Sequence, residues 1–345
     1  MSFVPPASGP SGPAELIDSF GRQVRDLRIS VTDRCNFRCT YCMPAEGMNW
    51  LDRSELLSFE EMARVARVCV ERFGFDGIRI TGGEPTVRAQ LPVLVAKLAR
   101  LVTPATGVPV DLAMTTNGAS LGLLAHDLRA AGLGRLNISC DSLRAERFAA
   151  ITGRDQLSRV MDGIVAAQQA GFDNIKLNVV MMRGINDDEV LDFARFGRRE
   201  GLQPRFIEFM PLDAQGQWSL DRVVPSAEII AAIDSEYPLD AVEHGPEPAA
   251  RYRYRDGGGE VGVVASVTEP FCGNCDRVRI TAEGQFRTCL FALDEHDLRA
   301  VMRSGGDDAD LAQAISAAVA TKWAGHSIGK VNFVRPARSM SQIGG

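Results

Sequence analysis

The chain has 345 residues, of which 45% are hydrophobic and 24% are charged, a composition typical of a soluble protein with a large core. Its formal net charge of −6 gives no overall attraction to nucleic acid or to an anionic membrane, so an anionic ligand needs a local group of Arg and Lys side chains. The sequence shows no uninterrupted apolar run long enough to cross a bilayer.

The amino-terminal segment is rich in Pro, Ser and Gly and contains no apolar signal-peptide core. We therefore expect a disordered leader over residues 1–20. Apolar and polar residues then alternate over residues 26–32, which predicts a half-buried strand. Eight cysteines without a secretion signal indicate a reducing compartment, the cytoplasm, in which the thiols bind metal rather than form disulfides.

Three cysteines follow this strand within eight residues: Cys35, Cys39 and Cys42. Cysteines this close in sequence can converge on a soft metal or an iron–sulfur cluster. Three thiolates leave one iron of a four-iron cluster open for another ligand. A closed zinc site needs a fourth protein ligand, and none lies just beyond. The spacing favours the cluster and leaves a zinc loop with a distant fourth ligand as the alternative.

Strands and helices alternate along the middle of the chain. A Ser58–Glu61 capping box predicts a helix that runs to about residue 73. Further strands are predicted at 77–81, 110–116, 135–141, 174–182 and 204–210, and further helices at 89–101, 121–131, 156–170, 187–200 and 226–236. Six βα units in succession predict an α/β fold with a parallel sheet, and they fit an open partial (βα)6 barrel. A Gly-x-Gly-x-x-Gly dinucleotide fingerprint is absent, which argues against a Rossmann oxidoreductase.

Polar residues recur where these strands end, which is where functional residues gather in such barrels. Residues 81–85 (Thr-Gly-Gly-Glu-Pro) end the second strand, and residues 115–118 (Thr-Thr-Asn-Gly) end the third. Paired glycines allow a ligand to approach the backbone, and Glu84 can accept a hydrogen bond from an ammonium group. Ser139 ends the fourth strand, Lys176 lies in the fifth, and Arg205 and Met210 lie in the sixth.

After about residue 241 the pattern changes to an α+β extension. Antiparallel strands are predicted at 251–255 and 260–267, and helices at 295–302 and 307–323. Between them lies a second set of three cysteines, Cys272, Cys275 and Cys289. This set fits a second cluster with one open iron, or a zinc site with His296 as the fourth ligand.

The first cysteine set, with Tyr41 before its last member, resembles the radical S-adenosylmethionine (SAM) superfamily. Together with the second set, the Arg277-x-Arg279 pair and the terminal Gly344-Gly345, it resembles the GTP 3′,8-cyclase family from about residue 25 to residue 345. The resemblance implies a radical SAM partial barrel over residues 21–240 and an auxiliary-cluster region over 241–338. It also implies a Gly-Gly tail over 339–345 that reaches the active site.

The resemblance also implies roles for individual residues. Two [4Fe–4S] clusters would be held by the two cysteine sets, with SAM on the first cluster and guanine on the second. SAM would be contacted by Tyr41, Gly83, Glu84, Ser139 and Met210. GTP would be contacted by Arg28, Arg79, Thr115, Lys176, Arg205, Arg277, Val278 and Arg279. Gly77 stands where many members have Lys, so one phosphate contact would be missing.

The implied activity is that of a lyase that makes (8S)-3′,8-cyclo-7,8-dihydroguanosine 5′-triphosphate from GTP, the first step of molybdenum cofactor synthesis. Its implied partners are an electron donor, a downstream cyclic pyranopterin monophosphate synthase and a second copy in a homodimer. Two alternatives remain at this point. One is a radical SAM maturase that modifies a peptide, against which the arginine pair and the tail argue, and the other is a zinc-binding scaffold without catalytic activity.

Overall fold

The computed structural model describes residues 14–44, 48–212, 216–243, 245, 247–331 and 333–344. Six strands in chain order form parallel neighbours in one sheet: β1 (Asp26–Ser30), β2 (Gly77–Thr81), β3 (Asp111–Thr116), β4 (Arg135–Ser139), β5 (Lys176–Met181) and β6 (Gln203–Glu208). The predicted parallel sheet is therefore confirmed. Strand ends differ from the predicted ones by one or two residues.

Helices connect these strands in the predicted order. They are α1 (Phe59–Phe73), α2 (Leu91–Leu98), α3 (Leu121–Ala130), α4 (Ala145–Thr152), α5 (Leu157–Gln169), α6 (Val190–Glu200) and α7 (Ser226–Glu236). The capping box is present, since the Ser58 hydroxyl accepts from the Glu61 N–H and the Glu61 carboxylate accepts from the Ser58 N–H. Helix α4 was not predicted; it inserts between β4 and α5 and buries Phe148 and Ile151.

The region after residue 238 extends this sheet at both edges. Its elements are β7 (Leu239–Ala241), β8 (Ala250–Tyr254), β9 (Glu260–Val264), β10 (Arg277–Ile280), β11 (Gln285–Arg287), β12 (His296–Asp297), α8 (Leu298–Arg303), α9 (Asp308–Ala320) and α10 (Met340–Ile343). The strand order is β12-β11-β10-β1-β2-β3-β4-β5-β6-β9-β8-β7. Strand β10 lies parallel to β1, and β9 lies parallel to β6. The extension therefore shares one sheet with the six βα units.

The predicted disordered leader over residues 1–20 is wrong for residues 14–20, which make specific contacts with the rest of the protein. Leu16 is buried in the core, the Ala14 N–H donates to the Arg72 carbonyl, and the Ser19 hydroxyl donates to the Ala320 carbonyl. The Asp18 carboxylate pairs with Arg22 at 2.6 Å. These contacts hold the segment against α1 and the end of α9, whereas residues 1–13 of the predicted leader lie outside the described residues. In the described residues, no helix is long and apolar enough to span a membrane.

Candidate active site

A single cavity brings together almost all the residues that the sequence singled out. It encloses about 1760 Å³ of empty space, part of it open to solvent. Its lining includes seventeen of the predicted site residues: Cys35, Cys39, Cys42, Cys272, Cys275, Cys289, Tyr41, Gly83, Glu84, Ser139, Met210, Arg28, Arg79, Thr115, Arg205, Arg277 and Arg279. The cavity lies where β1–β6 end, as expected for parallel strands followed by helices.

The first cysteine loop runs from the end of β1 and is held by α4. The Arg38 N–H donates to the Thr152 carbonyl at 2.8 Å, and the Thr40 N–H donates to the Ile151 carbonyl at 3.0 Å. The Phe37 ring packs edge-on against Phe148, with the ring centroids 5.8 Å apart. The unpredicted helix therefore fixes the backbone between the cysteines.

The three thiols of this loop are free and partly buried. Burial, together with Glu84, raises the pKa of Cys35 to about 11, and burial together with Cys35 raises the pKa of Cys42 to about 12. Burial and the Asp141 carboxylate raise the pKa of Cys39 as well. The thiols are therefore protonated at neutral pH until a metal replaces the protons.

Gly83 and Glu84 join the end of β2 to the cysteine loop and to β3. A Cβ atom at Gly83 would lie 2.4 Å from the Arg34 carbonyl oxygen, so glycine is required by this backbone contact as well as by any ligand. Glu84 is buried, and its carboxylate accepts from the Thr86 N–H and hydroxyl, the Thr116 hydroxyl and the Asn117 N–H. Only Oε2 retains capacity for a further donor, because Oε1 already accepts three hydrogen bonds.

Tyr41 is tied to the end of β4. Its hydroxyl donates to Asp141 Oδ2 at 2.7 Å, and the Val180 N–H donates to Asp141 Oδ1 at 2.8 Å. Burial raises the pKa of Asp141 to about 6, although both hydrogen bonds act in the opposite direction. The cysteine loop, β4 and β5 are thus connected through one buried carboxylate that lines the cavity.

Arginines form a row across three adjacent strands. Arg279 pairs in register with Arg28, and Arg28 pairs with Arg79. Their neighbours along the strands, such as Leu27 and Val278, point to the opposite face, into the core. The Nε–H groups of Arg28, Arg79, Arg277 and Arg279 are buried and have no acceptor among the described residues. This face therefore presents several donors and positive charges for an anion to bind.

Burial and mutual repulsion lower the pKa values of several of these cations. Burial and then Arg79 lower the pKa of Arg28, and burial and then Arg28 lower the pKa of Arg279. Burial, followed by Arg205, Arg135 and Arg79, lowers the pKa of Lys176 to about 7. A bound polyanion would relieve this repulsion, because an opposite charge favours the protonated form.

Two predicted contacts lie outside the cavity lining. Lys176 is half-buried at the start of β5, within electrostatic reach of Arg205 and Arg79. The Val278 side chain is fully buried in the core, so a ligand contact at this residue would come from its main chain. At Gly77, a Cβ atom would lie 3.1 Å from Asp26 Oδ2, so a side chain there would start beside that carboxylate.

The second cysteine set lies between β9 and β12, with Cys272 and Cys275 before β10 and Cys289 after β11, and is also free of disulfides. Arg277 Nη2 donates to the Cys275 sulfur at 3.2 Å. Burial alone would raise the pKa of Cys275, but Arg277 and Lys322 lower it to about 7. His296 contacts the Thr321 hydroxyl at 3.3 Å and does not line the cavity, so it is not the fourth ligand proposed for a zinc site.

Neither cysteine set is arranged around a single ion. Among the residues that the structure describes, no group of three His, Cys, Asp or Glu side chains is close enough to bind one metal ion. Each thiolate of a [4Fe–4S] cluster binds a different iron, so the thiolates of a cluster site lie farther apart than those of a zinc site. Each set places three free thiols on one cavity, the number of ligands that leaves one iron of a four-iron cluster open.

The carboxyl-terminal tail enters the same cavity. Ser341 lines it, and its main chain and side chain oppose the rise in the pKa of the Cys42 thiol that burial causes. The Gly344 carbonyl accepts from the Thr81 hydroxyl at 3.3 Å and from Arg279 Nη1 at 3.4 Å. Gly345 lies outside the described residues, so the predicted contact of the last residue is not described.

Several lining residues were given no role from the sequence. Asn117 donates to Asn36 Oδ1 at 2.7 Å and lies 4.0 Å from the Cys35 sulfur. The His326 ring packs at a tilt of 57° against Phe291, with the ring centroids 5.1 Å apart. Asn117 belongs to the segment 115–118 already noted at a strand end, and Asp141 is the last residue of a predicted strand, so their position at strand ends was the available signal. His326 and Ser341 gave no signal, because their neighbours in the fold are distant in the chain.

Two family models match the chain. The Radical SAM superfamily model matches residues 29–197, and the Molybdenum Cofactor Synthesis C model matches residues 202–328. A GTP 3′,8-cyclase of Mycobacterium sp. (strain KMS) is 46% identical over 342 residues, covering 99% of this chain and 96% of the relative. A GTP 3′,8-cyclase of Acidothermus cellulolyticus is 49% identical over 317 residues, covering 90% of this chain and 86% of the relative.

Solved structures give a more distant likeness. Streptococcus suis SuiB bound to S-adenosylmethionine matches with a TM-score of 0.58 and 12% identity, covering 86% of this chain and 69% of that chain. SuiB bound to its precursor peptide SuiA matches with a TM-score of 0.56 and 12% identity, covering 77% of this chain and 60% of that chain. At this identity the likeness shows a shared fold and nothing about the substrate.

Proposed function

This chain belongs to the GTP 3′,8-cyclase family of radical SAM proteins, and we propose on that basis that it converts GTP to (8S)-3′,8-cyclo-7,8-dihydroguanosine 5′-triphosphate. This is the lyase reaction that opens molybdenum cofactor synthesis. The observation that carries the proposal is a single cavity lined by two sets of three free cysteines and by five arginines.

In this proposal Cys35, Cys39 and Cys42 hold the first [4Fe–4S] cluster. When SAM is bound to its open iron, the cluster supplies the electron that cleaves SAM to the radical that abstracts hydrogen from the ribose. The residues proposed to position SAM are Tyr41, Gly83, Glu84, Ser139 and Met210, all of which line the cavity. Asp141 supports this region, because it fixes the Tyr41 hydroxyl and the end of β5.

The proposed GTP site is the row of arginines with its neighbours. Arg28, Arg79, Arg205, Arg277 and Arg279 line the cavity, and the unpartnered Nε–H groups of all but Arg205 fit phosphate oxygens. Thr115 lines the cavity and accepts from Asn137, whereas Lys176 contributes positive charge from the start of β5 and Val278 can contribute only its main chain. The triphosphate would thereby neutralise a buried group of like charges.

Cys272, Cys275 and Cys289 are proposed to hold the second [4Fe–4S] cluster, which would supply an iron able to bind the guanine base. The residues fit, since all three thiols line the cavity beside Arg277 and Arg279. The tail supports a role in the same space, because Gly344 already contacts Arg279. We propose that residues 339–345 close the cavity around the nucleotide.

The domain arrangement follows from these roles. We propose that β1–β6 and their helices, within residues 21–240, form the partial (βα)6 barrel, and that residues 241–338 form the auxiliary-cluster region. The parallel order of six strands supports the first part. The two family models, which meet near residue 200, divide the chain earlier than this proposal does.

We propose a cytoplasmic enzyme with three partners: a one-electron donor, a cyclic pyranopterin monophosphate synthase that takes the cyclised nucleotide, and a second copy of the chain. The peptide-modifying maturase is the weaker alternative. SuiB shares the fold at 12% identity, whereas the row of arginines suits a polyanionic substrate and the curated relatives are far more similar.

Anaerobic turnover tests the proposal. The reconstituted protein is incubated with SAM, dithionite and one nucleoside triphosphate at a time, and products are separated by mass and NMR. We expect 5′-deoxyadenosine and a 3′,8-cyclised nucleotide with GTP, and little product with ATP, CTP or UTP. SAM cleavage without any cyclised GTP would contradict the proposed reaction, while the absence of SAM cleavage would contradict the radical SAM assignment.

A further inference from the structure

The second cysteine set is surrounded by buried cations, and Lys322 among them has no role in the function proposed above. Lys322 follows α9 and is 3% exposed. Its ammonium group donates to the carbonyl oxygens of Arg277 at 2.8 Å and Thr288 at 2.6 Å, and lies 3.8 Å from the Cys275 sulfur. Besides burial, the groups that influence it are Cys275, Cys289 and two arginines, with no carboxylate among them.

These contacts join the segments that carry two of the three cysteines. Thr288 directly precedes Cys289, and Arg277 is two residues after Cys275. One buried ammonium group therefore links the start of β10, the end of β11 and the residues after α9. This arrangement holds Cys275 and Cys289 in a fixed relation to each other.

A buried ammonium group without an anionic partner is costly, because two carbonyl dipoles replace only part of its hydration. Among the free thiols, Cys275 could offer this ammonium group a single thiolate, which Arg277 Nη2 also contacts at 3.2 Å. Iron bound by three thiolates carries net negative charge and would provide the missing partner. The placement of Lys322 is therefore explained by a bound cluster better than by free thiols.

The first cysteine set has a different electrostatic environment. The charged side chains that act on its thiols include the buried carboxylates of Glu84 and Asp141, with Arg38 as a cation beside Cys35. A nearby fixed charge changes a reduction potential, since reduction adds one negative charge to a cluster without making or breaking a bond. Cations stabilise the reduced form, and carboxylates destabilise it.

We propose that Lys322 is a positioning residue of the second cluster, whose buried ammonium group pairs with the cluster and raises its reduction potential. The inference rests on the proposed function, because it assumes that Cys272, Cys275 and Cys289 hold an iron–sulfur cluster. It adds a residue that does not line the cavity and that acts on the cluster through its charge and through the segments carrying Cys275 and Cys289.

The test measures the second cluster alone, in a background where Cys35, Cys39 and Cys42 are all changed to Ala. Midpoint potentials are determined by anaerobic redox titration monitored by EPR, and iron is measured in each sample. Lys322→Met should lower the equilibrium constant for reduction at least about tenfold, which is ~59 mV for a one-electron couple. Lys322→Arg keeps the charge and should stay near the parent value. Lys330→Met removes an exposed lysine nearby and should change nothing.

The possible outcomes distinguish a failure of the role proposed for Lys322 from a failure of the second cluster itself. Loss of iron in Lys322→Met with retention in Lys322→Arg also supports the inference, because the charge is then needed to hold the cluster. An unchanged potential with full iron in Lys322→Met overturns it, and so do equal changes in Lys322→Met and Lys322→Arg. If the parent background binds no iron at all, the second cluster itself is refuted, and the proposed function fails rather than this inference alone.

Discussion

Arg28 on β1 and Arg279 on β10 stand side by side on two parallel strands, although they come from opposite ends of the chain. With Arg79 on β2 they form a continuous row across three strands. The proposed triphosphate site is therefore complete only when the carboxyl-terminal region occupies the edge of the sheet beside β1. GTP binding at the full row of arginines therefore requires that the carboxyl-terminal region is docked against β1.

Arg279→Ala tests whether this row binds GTP. Arg279 is buried and has no acceptor for its Nε–H, so a charge-assisted bond to phosphate worth ~1.5–3 kcal/mol would be lost. We expect GTP affinity to fall roughly ten- to a hundred-fold in anaerobic binding assays. Arg253→Ala, which removes an arginine whose side chain is 64% exposed, is the matched control. Unchanged affinity in Arg279→Ala with full iron content would place the triphosphate elsewhere.

Deletion of Gly344 and Gly345 tests the tail. The Gly344 carbonyl contacts Thr81 and Arg279 inside the cavity, and glycine fits there because a Cβ atom would lie 2.6 Å from the Thr81 hydroxyl oxygen. We expect the truncated protein to retain both cluster spectra and to lose cyclisation. Full cyclisation by the truncated protein would show that Gly344 and Gly345 are not needed for the reaction.

The lowered pKa of Lys176 predicts that the protein takes up a proton when GTP binds. Its pKa of about 7 in the free protein means that most of its amine is neutral at pH 8, and phosphate would restore the protonated form. Calorimetry at pH 8 in buffers of different ionisation enthalpy should show uptake of about one proton. GTP affinity should therefore weaken as the pH rises above 7. Lys176→Met should abolish the uptake, and equal uptake by both proteins would assign the proton to another group.

Glu84→Ala should destabilise the protein through the end of β2. The buried carboxylate accepts hydrogen bonds from Thr86, Thr116 and Asn117, and each buried donor left without an acceptor costs ~1–3 kcal/mol. We expect a clear fall in the urea midpoint of the protein without clusters, and weaker SAM binding. Glu71→Ala, at an exposed helix position, should change the midpoint little. A Glu84→Ala protein as stable as the parent would contradict this structural role.

Local patterns predicted most of the fold. Strand β2 and helix α7 occupy the predicted residues, because period-two alternation and helix periodicity are properties of short segments. The pairing of β10 with β1 and of β9 with β6 could not be predicted in this way, since each joins residues far apart in the chain. Helix α4 was missed in a short segment between two clearer elements.

In the candidate site, too, local sequence patterns predicted some features, whereas contacts between distant parts of the chain were not predicted. Cysteine spacing indicated both thiol sets, strand-end polarity indicated residues such as Glu84 and Ser139, and the family resemblance supplied the arginines, all of which line the cavity. Tertiary packing brings Lys322 to Cys275 and Ser341 to Cys42, and no local sequence pattern predicts these two arrangements.

The central claim is that one cavity holds two iron–sulfur clusters with different tasks, and paired iron and SAM-cleavage measurements test it most directly. The reconstituted parent protein should bind about eight irons per chain if both clusters are [4Fe–4S]. Changing Cys35, Cys39 and Cys42 to Ala should leave about half the iron and abolish SAM cleavage. Changing Cys272, Cys275 and Cys289 to Ala should also leave about half, retain SAM cleavage and abolish cyclisation of GTP. Stoichiometric zinc without iron uptake, or equal loss of SAM cleavage in both variants, would contradict the account.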